Sequence, residues 1–160
     1  YAETRDKIDT LRSLLAAENP QKALIFTSRP DQVENIVSKL LFKKIACAAL
    51  YAKQDKAERK AALDSFRNGK CRILVTSDVA ARGLDIPSIT HIIQMDIPDD
   101  DDFFVHRAGR TARAGKTGIN IVIGDEWEMR KYARLEKKLH IIVYPKVLYN
   151  GKITAPEEQK

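Results

Sequence analysis

Short apolar runs alternate with amphipathic segments along most of the chain. Five runs have the length of a strand, at residues 23–27, 45–50, 73–76, 89–95 and 119–123. Apolar residues at helical spacing predict helices at residues 4–15, 30–41, 56–66 and 127–139. The runs are almost continuously apolar, which is typical of parallel strands covered on both faces. The pattern therefore predicts an α/β fold in which a mostly parallel sheet carries helices on both faces.

The composition says more about the binding partner than about the fold. The 160 residues fit one domain, and the hydrophobic fraction of 44% is enough for a core. Charged residues make up 31% of the chain and leave a formal net charge of +6. A positive surplus of this size fits an anionic partner such as a nucleic acid or a nucleotide, although it specifies neither.

Neither the cysteines nor the histidines are clustered at the spacing of a metal site. Cys47 and Cys71 each lie in an apolar run, so we expect reduced thiols rather than a disulfide. Residues 1–20 show no signal-peptide pattern, and the longest apolar run, at residues 45–51, is too short to cross a bilayer. We therefore expect a cytoplasmic protein with no metal site and no membrane partner.

Polar side chains follow the first predicted strand. Thr27, Ser28 and Arg29 stand directly before Pro30, which suits the first turn of a helix. Two hydroxyls, a guanidinium and the N–H groups of a helix start together suit a phosphate. Simple capping of the helix by Ser28 explains the same residues equally well.

The helix at residues 56–66 is followed by Arg67 and Gly69. We expect Gly69 to stop this helix. Arg67 either bonds the last carbonyls of the helix or contacts an external phosphate.

Hydroxyl and carboxylate side chains also follow the third strand, at Ser77 and Asp78. We expect Asp78 to cap a short helix at residues 79–81, which Gly83 would then end. Asp85, in the next loop, has no evident structural task. Because a carboxylate beside a nucleotide site commonly holds a ribose hydroxyl, Asp85 is a candidate for that role.

Residues 106–115, with the sequence HRAGRTARAG, concentrate three arginines and a histidine. We expect this segment to be exposed, because charged groups avoid the interior unless they are paired. On one helical turn Arg110 and Arg113 would project to neighbouring positions, where guanidinium groups match phosphate oxygens. A solvated basic turn is the alternative interpretation.

Two patterns near this segment do not predict a site. The four aspartates at residues 99–102 precede a short helix, where negative charge offsets the helix dipole, so we expect no metal there. Residues 115–117 are similar to the end of a P-loop. The glycine that the motif needs five residues earlier is absent, because Arg110 stands there, so we expect no P-loop in this chain.

Taken in order, four segments resemble motifs of the DEAD-box RNA helicases. The segments resemble motif IV, the FRxG element, motif V and motif VI, and lie at residues 23–29, 66–69, 76–87 and 106–115. The most specific part is DVAARGLDI at residues 78–86, followed 20 residues later by HRxGRxxR. The resemblance covers residues 1–139.

The resemblance implies the second, C-terminal RecA-like domain of such a helicase. That fold is a three-layer sandwich with a mostly parallel sheet of about five to six strands and helices on both faces. We expect it to occupy residues 1–143. Residues 144–160 would then be a short extension, partly disordered.

The resemblance also assigns roles to single residues. Arg110 and Arg113 match arginines that reach the γ-phosphate of ATP held on the other RecA-like domain, and His106 matches a histidine that couples this phosphate to the rest of the site. Asp85 matches a ribose-binding carboxylate, and Gly83 and Arg107 lie in the same nucleotide-binding motifs. Seven positions match residues that line the RNA backbone: Thr27, Ser28, Arg29, Arg67, Gly69, Ser77 and Asp78.

The resemblance implies that the remaining parts of the ATP site lie on an N-terminal RecA-like domain of the same protein. That domain would supply the P-loop and the ligands of Mg²⁺, and ATP would lie between the two halves. We therefore expect an ATP-dependent RNA helicase with an RNA-stimulated ATPase. The isolated chain is expected to be monomeric and inactive, and to bind RNA through its backbone without reading its sequence.

Four positions depart from the family pattern. Tyr51-Ala52 stands for a His-Gly pair, Lys56 for a glutamine, Ser77 for a threonine and Ala112 for a glycine. The first two departures leave open an alternative function, a non-catalytic RNA-binding or protein-docking module with helicase-like motifs.

Overall fold

The computed structural model describes residues 1–111 and 117–156. Two compact units can be distinguished, one formed by Pro20–Val122 and the other by Tyr1–Asn19 together with Ile123–Lys160. In the described ranges the α-helices are α1 Lys7–Glu18, α2 Pro30–Phe42, α3 Lys56–Arg67, α4 Asp78–Ala81, α5 Asp101–Ala108 and α6 Glu126–Leu139. The strands are β1 Ala23–Thr27, β2 Ala48–Leu50, β3 Ile73–Ser77, β4 His91–Gln94, β5 Ile119–Val122, β6 Val147–Tyr149 and β7 Lys152–Thr154.

The larger unit is built around a five-stranded sheet in the order β2-β3-β1-β4-β5. All four strand pairs in this sheet are parallel, as the continuous apolar runs predict. The connection through α2 runs from β1 to the edge strand β2, and the connection through α3 returns from β2 to β3. Crossovers between parallel strands are right-handed as a rule, and these two run in opposite directions, which places α2 and α3 on opposite faces of the sheet.

The register of the sheet separates the core into the same two faces. Leu24 is paired with Leu74 and with Ile92, and these side chains form one cluster with Leu63 and Phe66 of α3. One residue further along each strand the side chains point to the other face and are also buried, at Ile25, Val75 and Ile93. The α/β prediction is therefore confirmed.

Some helices and strands begin or end at other residues than predicted. Backbone hydrogen bonds set these ends, and the hydrophobic pattern does not report them. The first helix begins with a 3-10 turn at Thr4–Asp6 and continues to Glu18. The second apolar run, at residues 45–50, gives only the short strand β2. The first residue of this run, Ile45, belongs to the C-terminal cap of α2, because its N–H donates to the carbonyl of Leu40 at 2.9 Å.

The smaller unit contains α1, α6 and an antiparallel hairpin. Asp125 caps α6 in a capping box with Glu128, whose side chain also receives Lys7 at 2.5 Å. Strands β6 and β7 are joined by Asn150 and Gly151 at φ 50° and 72°, which is the geometry of a type I′ turn. This hairpin lies in residues 144–160, for which the sequence analysis predicts a short extension, partly disordered, and no strands.

None of the helices in residues 1–111 and 117–156 is long and apolar enough to cross a membrane.

Both cysteines are free, as expected from their apolar surroundings. Burial, and to a lesser extent Cys71, raises the pKa of the Cys47 thiol to about 12. Because the neutral thiol is favoured in the folded chain, its contribution to stability is complete below the ordinary pKa of 9.0 and is lost as pH rises through about 12.

In a Cys71→Ala background we therefore expect Cys47 to react with a disulfide reagent at about pH 8 far more slowly in the folded chain than in urea, since the thiolate is the nucleophile. Equal rates in the folded and unfolded chain would contradict the burial of this thiol. Reaction kinetics followed by absorbance give the measurement.

Two phenylalanines of the larger unit provide a matched test of the core. Phe66 is 0% exposed, whereas Phe42 is 81% exposed at the end of α2. Phe66→Ala is expected to lower the free energy of unfolding by about 3–5 kcal/mol. Phe42→Ala should change it by less than about 0.5 kcal/mol. Urea unfolding followed by circular dichroism measures both values, and similar losses would contradict the packing described here.

Candidate functional site

A buried arginine lies at the centre of the sheet edge where the parallel strands end. Arg107, on the last turn of α5, is 1% exposed. Its Nε and Nη2 donate to the two carboxylate oxygens of Asp78 at 2.6 and 2.7 Å. Its Nη1 donates to the Gln94 side chain at 3.2 Å and to the Asp96 carbonyl at 2.8 Å. The guanidinium also lies 5.5 Å from the centre of the Phe26 ring.

Asp96 extends this network to the loop after β1. Its carboxylate accepts Nη2 of Arg107 at 3.1 Å, the Thr27 hydroxyl at 3.1 Å and the Ser28 N–H at 2.9 Å. The loops that follow β1, β3 and β4 are therefore joined through one guanidinium. Loops at the carboxyl ends of parallel strands are where ligands bind in open α/β sheets.

The position of Arg107 corrects one expectation. Residues 106–115 are expected to be exposed, and this is wrong for Arg107, because two carboxylates compensate its charge in the interior. Its donors are directed at protein acceptors, so in this structure Arg107 supports the loops. Its place in a nucleotide-binding site stays a prediction.

Two expected helix caps are also different in the structure. Ser77, not Asp78, caps α4, because its hydroxyl accepts the N–H of Ala80 while the Asp78 carboxylate is engaged by Arg107. Ser28 does not cap α2. The N-cap of α2 is Arg29, without a side-chain bond, and the Ser28 N–H is bonded to Asp96.

The loop after α4 brings together three predicted nucleotide-binding residues. Gly83, at φ +78°, follows the end of α4 as expected, and the exposed Asp85 lies two residues further on. The half-buried Arg110 donates from Nη1 to the carbonyl of Leu84, and from Nη2 to the carbonyl of Ala81 at 3.2 Å. Arg110 is thus held against the same loop that carries Asp85.

The predicted helical spacing of the arginines does not hold for Arg110. Helix α5 ends at Ala108 with Gly109 as its C-cap, so Arg110 follows the helix instead of continuing it. Arg113 lies outside the described residues. His106 is exposed on α5, and Arg29 is exposed at the start of α2.

The predicted RNA-binding residues fall into two groups. The loops after β1 and β3 bring together Thr27, Ser28, Arg29, Ser77 and Asp78, of which Thr27 and Ser77 are buried. Arg67 and Gly69 lie at the end of α3, where the chain turns into the start of β3 and therefore towards the other edge of the sheet. There Nη2 of Arg67 donates to the carbonyl of Asp85 at 3.5 Å, and Gly69, at φ +82°, ends the helix as predicted.

Sequence reasoning missed Gln94 and Asp96. Both stand at the end of β4, and Asp96 follows a buried strand just as Asp78 follows β3. That position, a carboxylate directly after an apolar run, was the signal that could have identified it. Arg59 was also missed as a supporting residue, and it donates to the Ala80 carbonyl at 3.0 Å.

Comparison with known proteins identifies the family. The family described as helicase conserved C-terminal domain matches residues 6–115. The chain belongs to this family. It is 38% identical to the DEAD-box ATP-dependent RNA helicase CshC of Bacillus cereus over 163 residues, which is 99% of this chain and 42% of that protein. It is 40% identical over 117 residues to the DEAD-box ATP-dependent RNA helicase CshA of Bacillus subtilis, covering 73% of this chain and 24% of that one.

Solved structures of DEAD-box proteins share the fold. The chain resembles E. coli SrmB, solved bound to regulator of ribonuclease activity A, with a TM-score of 0.83, 26% identity and coverage of 98% of this chain and 87% of that one. It resembles S. cerevisiae Dbp5 bound to RNA and ADP BeF3 with a TM-score of 0.81 and 27% identity, over 88% of this chain and 38% of that one. The RecA-like fold is therefore confirmed, and the chain is a helicase C-terminal domain that is similar to DEAD-box RNA helicases. It spans less than half the length of the two Bacillus relatives.

Breaking the Arg107 network is expected to destabilise the larger unit strongly. Arg107→Met leaves the carboxylates of Asp78 and Asp96 without their cation and should lower the free energy of unfolding by about 3–5 kcal/mol. Arg107→Lys keeps the charge but loses the paired bonds, so it should also be destabilising.

The double variant Arg107→Met/Asp78→Leu should be less destabilised than Arg107→Met alone, because it removes one of the stranded carboxylates. Urea unfolding of the native chain, Arg107→Met, Asp78→Leu and the double variant gives the comparison. A double variant that loses the sum of both single losses would contradict the pairing.

Proposed function

We propose that the chain completes an ATPase site whose P-loop lies on an N-terminal RecA-like domain of the same protein, within an ATP-dependent RNA helicase. Arg110 and Arg113 would meet the γ-phosphate, His106 would couple that phosphate to the site, and Asp85 would hold the ribose. The observation that carries the proposal is the contact of Arg110 with the loop that holds Gly83 and Asp85.

The partial exposure of Arg110 is what makes it available to a phosphate. Its guanidinium donates to two neutral backbone carbonyls, those of Ala81 and Leu84. Hydrogen bonds from a guanidinium to an anion are about twice as strong as bonds between neutral groups, so a phosphate can replace these carbonyls. Arg107, by contrast, is buried and is not accessible to an incoming ligand.

The sheet edge around β1 is the proposed contact for the RNA backbone. Arg29 and the Ser28 side chain are exposed at the start of α2, where a phosphate would also meet the N-terminal end of a helix. Thr27, Ser77 and Asp78 hold this edge in shape through Asp96, Ala80 and Arg107. Contacts of this kind recognise phosphate and sugar and do not read sequence.

When bound, ATP with Mg²⁺ supplies the phosphoryl group and its charge compensation. Within residues 1–111 and 117–156, no group of three or more histidine, cysteine, aspartate or glutamate side chains is arranged to hold a metal ion. By the resemblance to DEAD-box helicases, we propose that the ligands of Mg²⁺ lie on the N-terminal domain. The monomeric state of the chain and its cytoplasmic location stay predictions.

The proposal predicts that the isolated chain does not hydrolyse ATP. The protein that also contains the N-terminal domain should have an RNA-stimulated ATPase, and Arg110→Ala should lower its kcat at least about 100-fold, the loss typical of a missing arginine finger. Phosphate release with and without RNA is the measurement.

Arg134→Ala removes an exposed arginine of α6 and is the matched control, for which we expect unchanged kcat. Turnover by the isolated chain that is lost in Arg110→Ala would overturn the proposal. A full-length protein that binds RNA but has no ATPase would favour the non-catalytic alternative.

A further inference from the structure

The last two residues of helix α2 are apolar and exposed, unlike the residues on its buried face. Val33, Ile36 and Leu40 form the inner stripe and are at most 3% exposed. Leu41 is 52% exposed and Phe42 is 81% exposed. A single exposed apolar residue needs no explanation, so the surroundings of Phe42 decide whether it has a task.

Those surroundings are positively charged. The Nζ of Lys43 lies 5.7 Å from the centre of the Phe42 ring, and Lys39 and Lys44 are exposed on the same turn of chain. No aspartate or glutamate occurs from residue 35 to residue 54. Because β2 and β3 pair in parallel, the segments that lead into them start from the same edge of the sheet, and residues 68–72 add the exposed Lys70 and Arg72 to that edge and no acid.

Lys44 is held in a conformation that favours glycine. Its φ is +63°, and its N–H donates to the carbonyl of Leu41 at 2.9 Å while that of Ile45 donates to the carbonyl of Leu40. These two bonds form a Schellman motif, whose left-handed position is usually glycine. The chain thus keeps a cation here at a cost in backbone energy, and outliers of this kind cluster at functional sites.

Trp127 in the smaller unit shows what a similar ring looks like without this charge pattern. It is 61% exposed, and the Nζ of Lys131 lies 5.5 Å from its ring centre. The cleft that it lines is mixed in charge, because it contains Glu3, Asp125 and Glu126 together with Arg5 and Arg130. Within residues 1–111 and 117–156, an exposed ring with a lysine beside it is present at both Phe42 and Trp127, and of these two Phe42 is the one in an acid-free segment.

We propose that Phe42, Lys43 and Lys44, the Phe42 patch, form a second contact for single-stranded RNA. A base would stack on the Phe42 ring while the ammonium groups meet the flanking phosphates, the combination by which proteins hold single strands without reading sequence. Because the ring and the Lys43 cation share one spot, the patch fits a base linked to a phosphate better than an acidic peptide.

The patch goes beyond the proposed function, since none of the helicase-motif residues belongs to it. Helix α2 runs from the carboxyl end of β1 back towards the start of β2. The patch therefore lies at the edge where the strands begin, and Ser28 and Arg29 lie at the edge where they end. Five residues of strand separate these edges, on the order of 17 Å.

The test is the binding of this chain to a fluorescein-labelled oligouridylate of about 20 nucleotides, long enough to cover both edges. Fluorescence anisotropy over a series of salt concentrations gives Kd and its salt dependence. Phe42→Ala is expected to raise Kd about 5-fold to 100-fold, the loss of one stacked base. Lys43→Ala/Lys44→Ala should reduce the slope of log Kd against log salt by about 1.4, or about 0.7 for each phosphate contact.

Conservative variants separate stacking from general apolar docking. Phe42→Trp should bind RNA at least as well as the native chain, and Phe42→Leu should bind as poorly as Phe42→Ala. Trp127→Ala is the matched control, because it removes an exposed ring from a cleft of mixed charge, and its Kd should be unchanged. Equal Kd for the native chain and Phe42→Ala would overturn the proposal, as would full binding by Phe42→Leu, which would favour a protein partner.

Arg29→Ala distinguishes this proposal from the proposed function. If Arg29→Ala weakens binding and the patch variants do not, only the second contact fails. If the patch variants weaken binding and Arg29→Ala does not, only the proposed RNA contact at the β1 edge fails.

Lys44→Gly gives an independent readout of the patch. It should raise the midpoint of thermal unfolding, since glycine adopts the left-handed position without strain, and yet weaken RNA binding at low salt. A purely structural role for Lys44 would leave Kd unchanged, and that result would remove Lys44 from the patch and overturn the proposal as stated.

Discussion

One buried cation organises the edge of the sheet at which its parallel strands end. Arg107 is removed from water and keeps its charge only because Asp78 and Asp96 supply two carboxylates at hydrogen-bond distance. An unpaired charge in the interior costs several kcal/mol, so these bonds cannot be lost one at a time without consequence. The two partners follow different strands, β3 and β4. Asp96 also accepts hydrogen bonds from the Thr27 hydroxyl and the Ser28 N–H, which follow β1. Three strand ends are therefore fixed together.

The same physical reasoning separates two arginines that lie three residues apart. Arg107 meets carboxylates and is buried, so it supports the loops. Arg110 donates to the carbonyls of Ala81 and Leu84 and is partly exposed, so it is the guanidinium that we propose for the phosphate contact. In a motif with several arginines, burial thus distinguishes the guanidinium that stabilises the loops from one that remains accessible.

The sequence was sufficient for the sheet and its helices, because apolar runs and helical spacing report burial directly. It was not sufficient for Arg107, whose burial depends on Asp78 and Asp96, partners that are distant in the chain. Nor did it separate Arg67 from the loop of β1, since a helix that runs back along the sheet carries its end to the other edge. The hairpin at residues 147–154 was missed because each strand has only three residues, although Asn150-Gly151 is a turn signal.

The central claim is that Arg107 holds the loop after β1 through Asp96. Hydrogen exchange of the Ser28 amide, followed by NMR in the native chain and in Arg107→Met, tests it most directly. The account predicts that protection of Ser28 falls roughly tenfold or more, and by more than that of the Ile25 amide in β1. Unchanged protection of Ser28 in the variant would show that the loop is held by other means and would contradict the account.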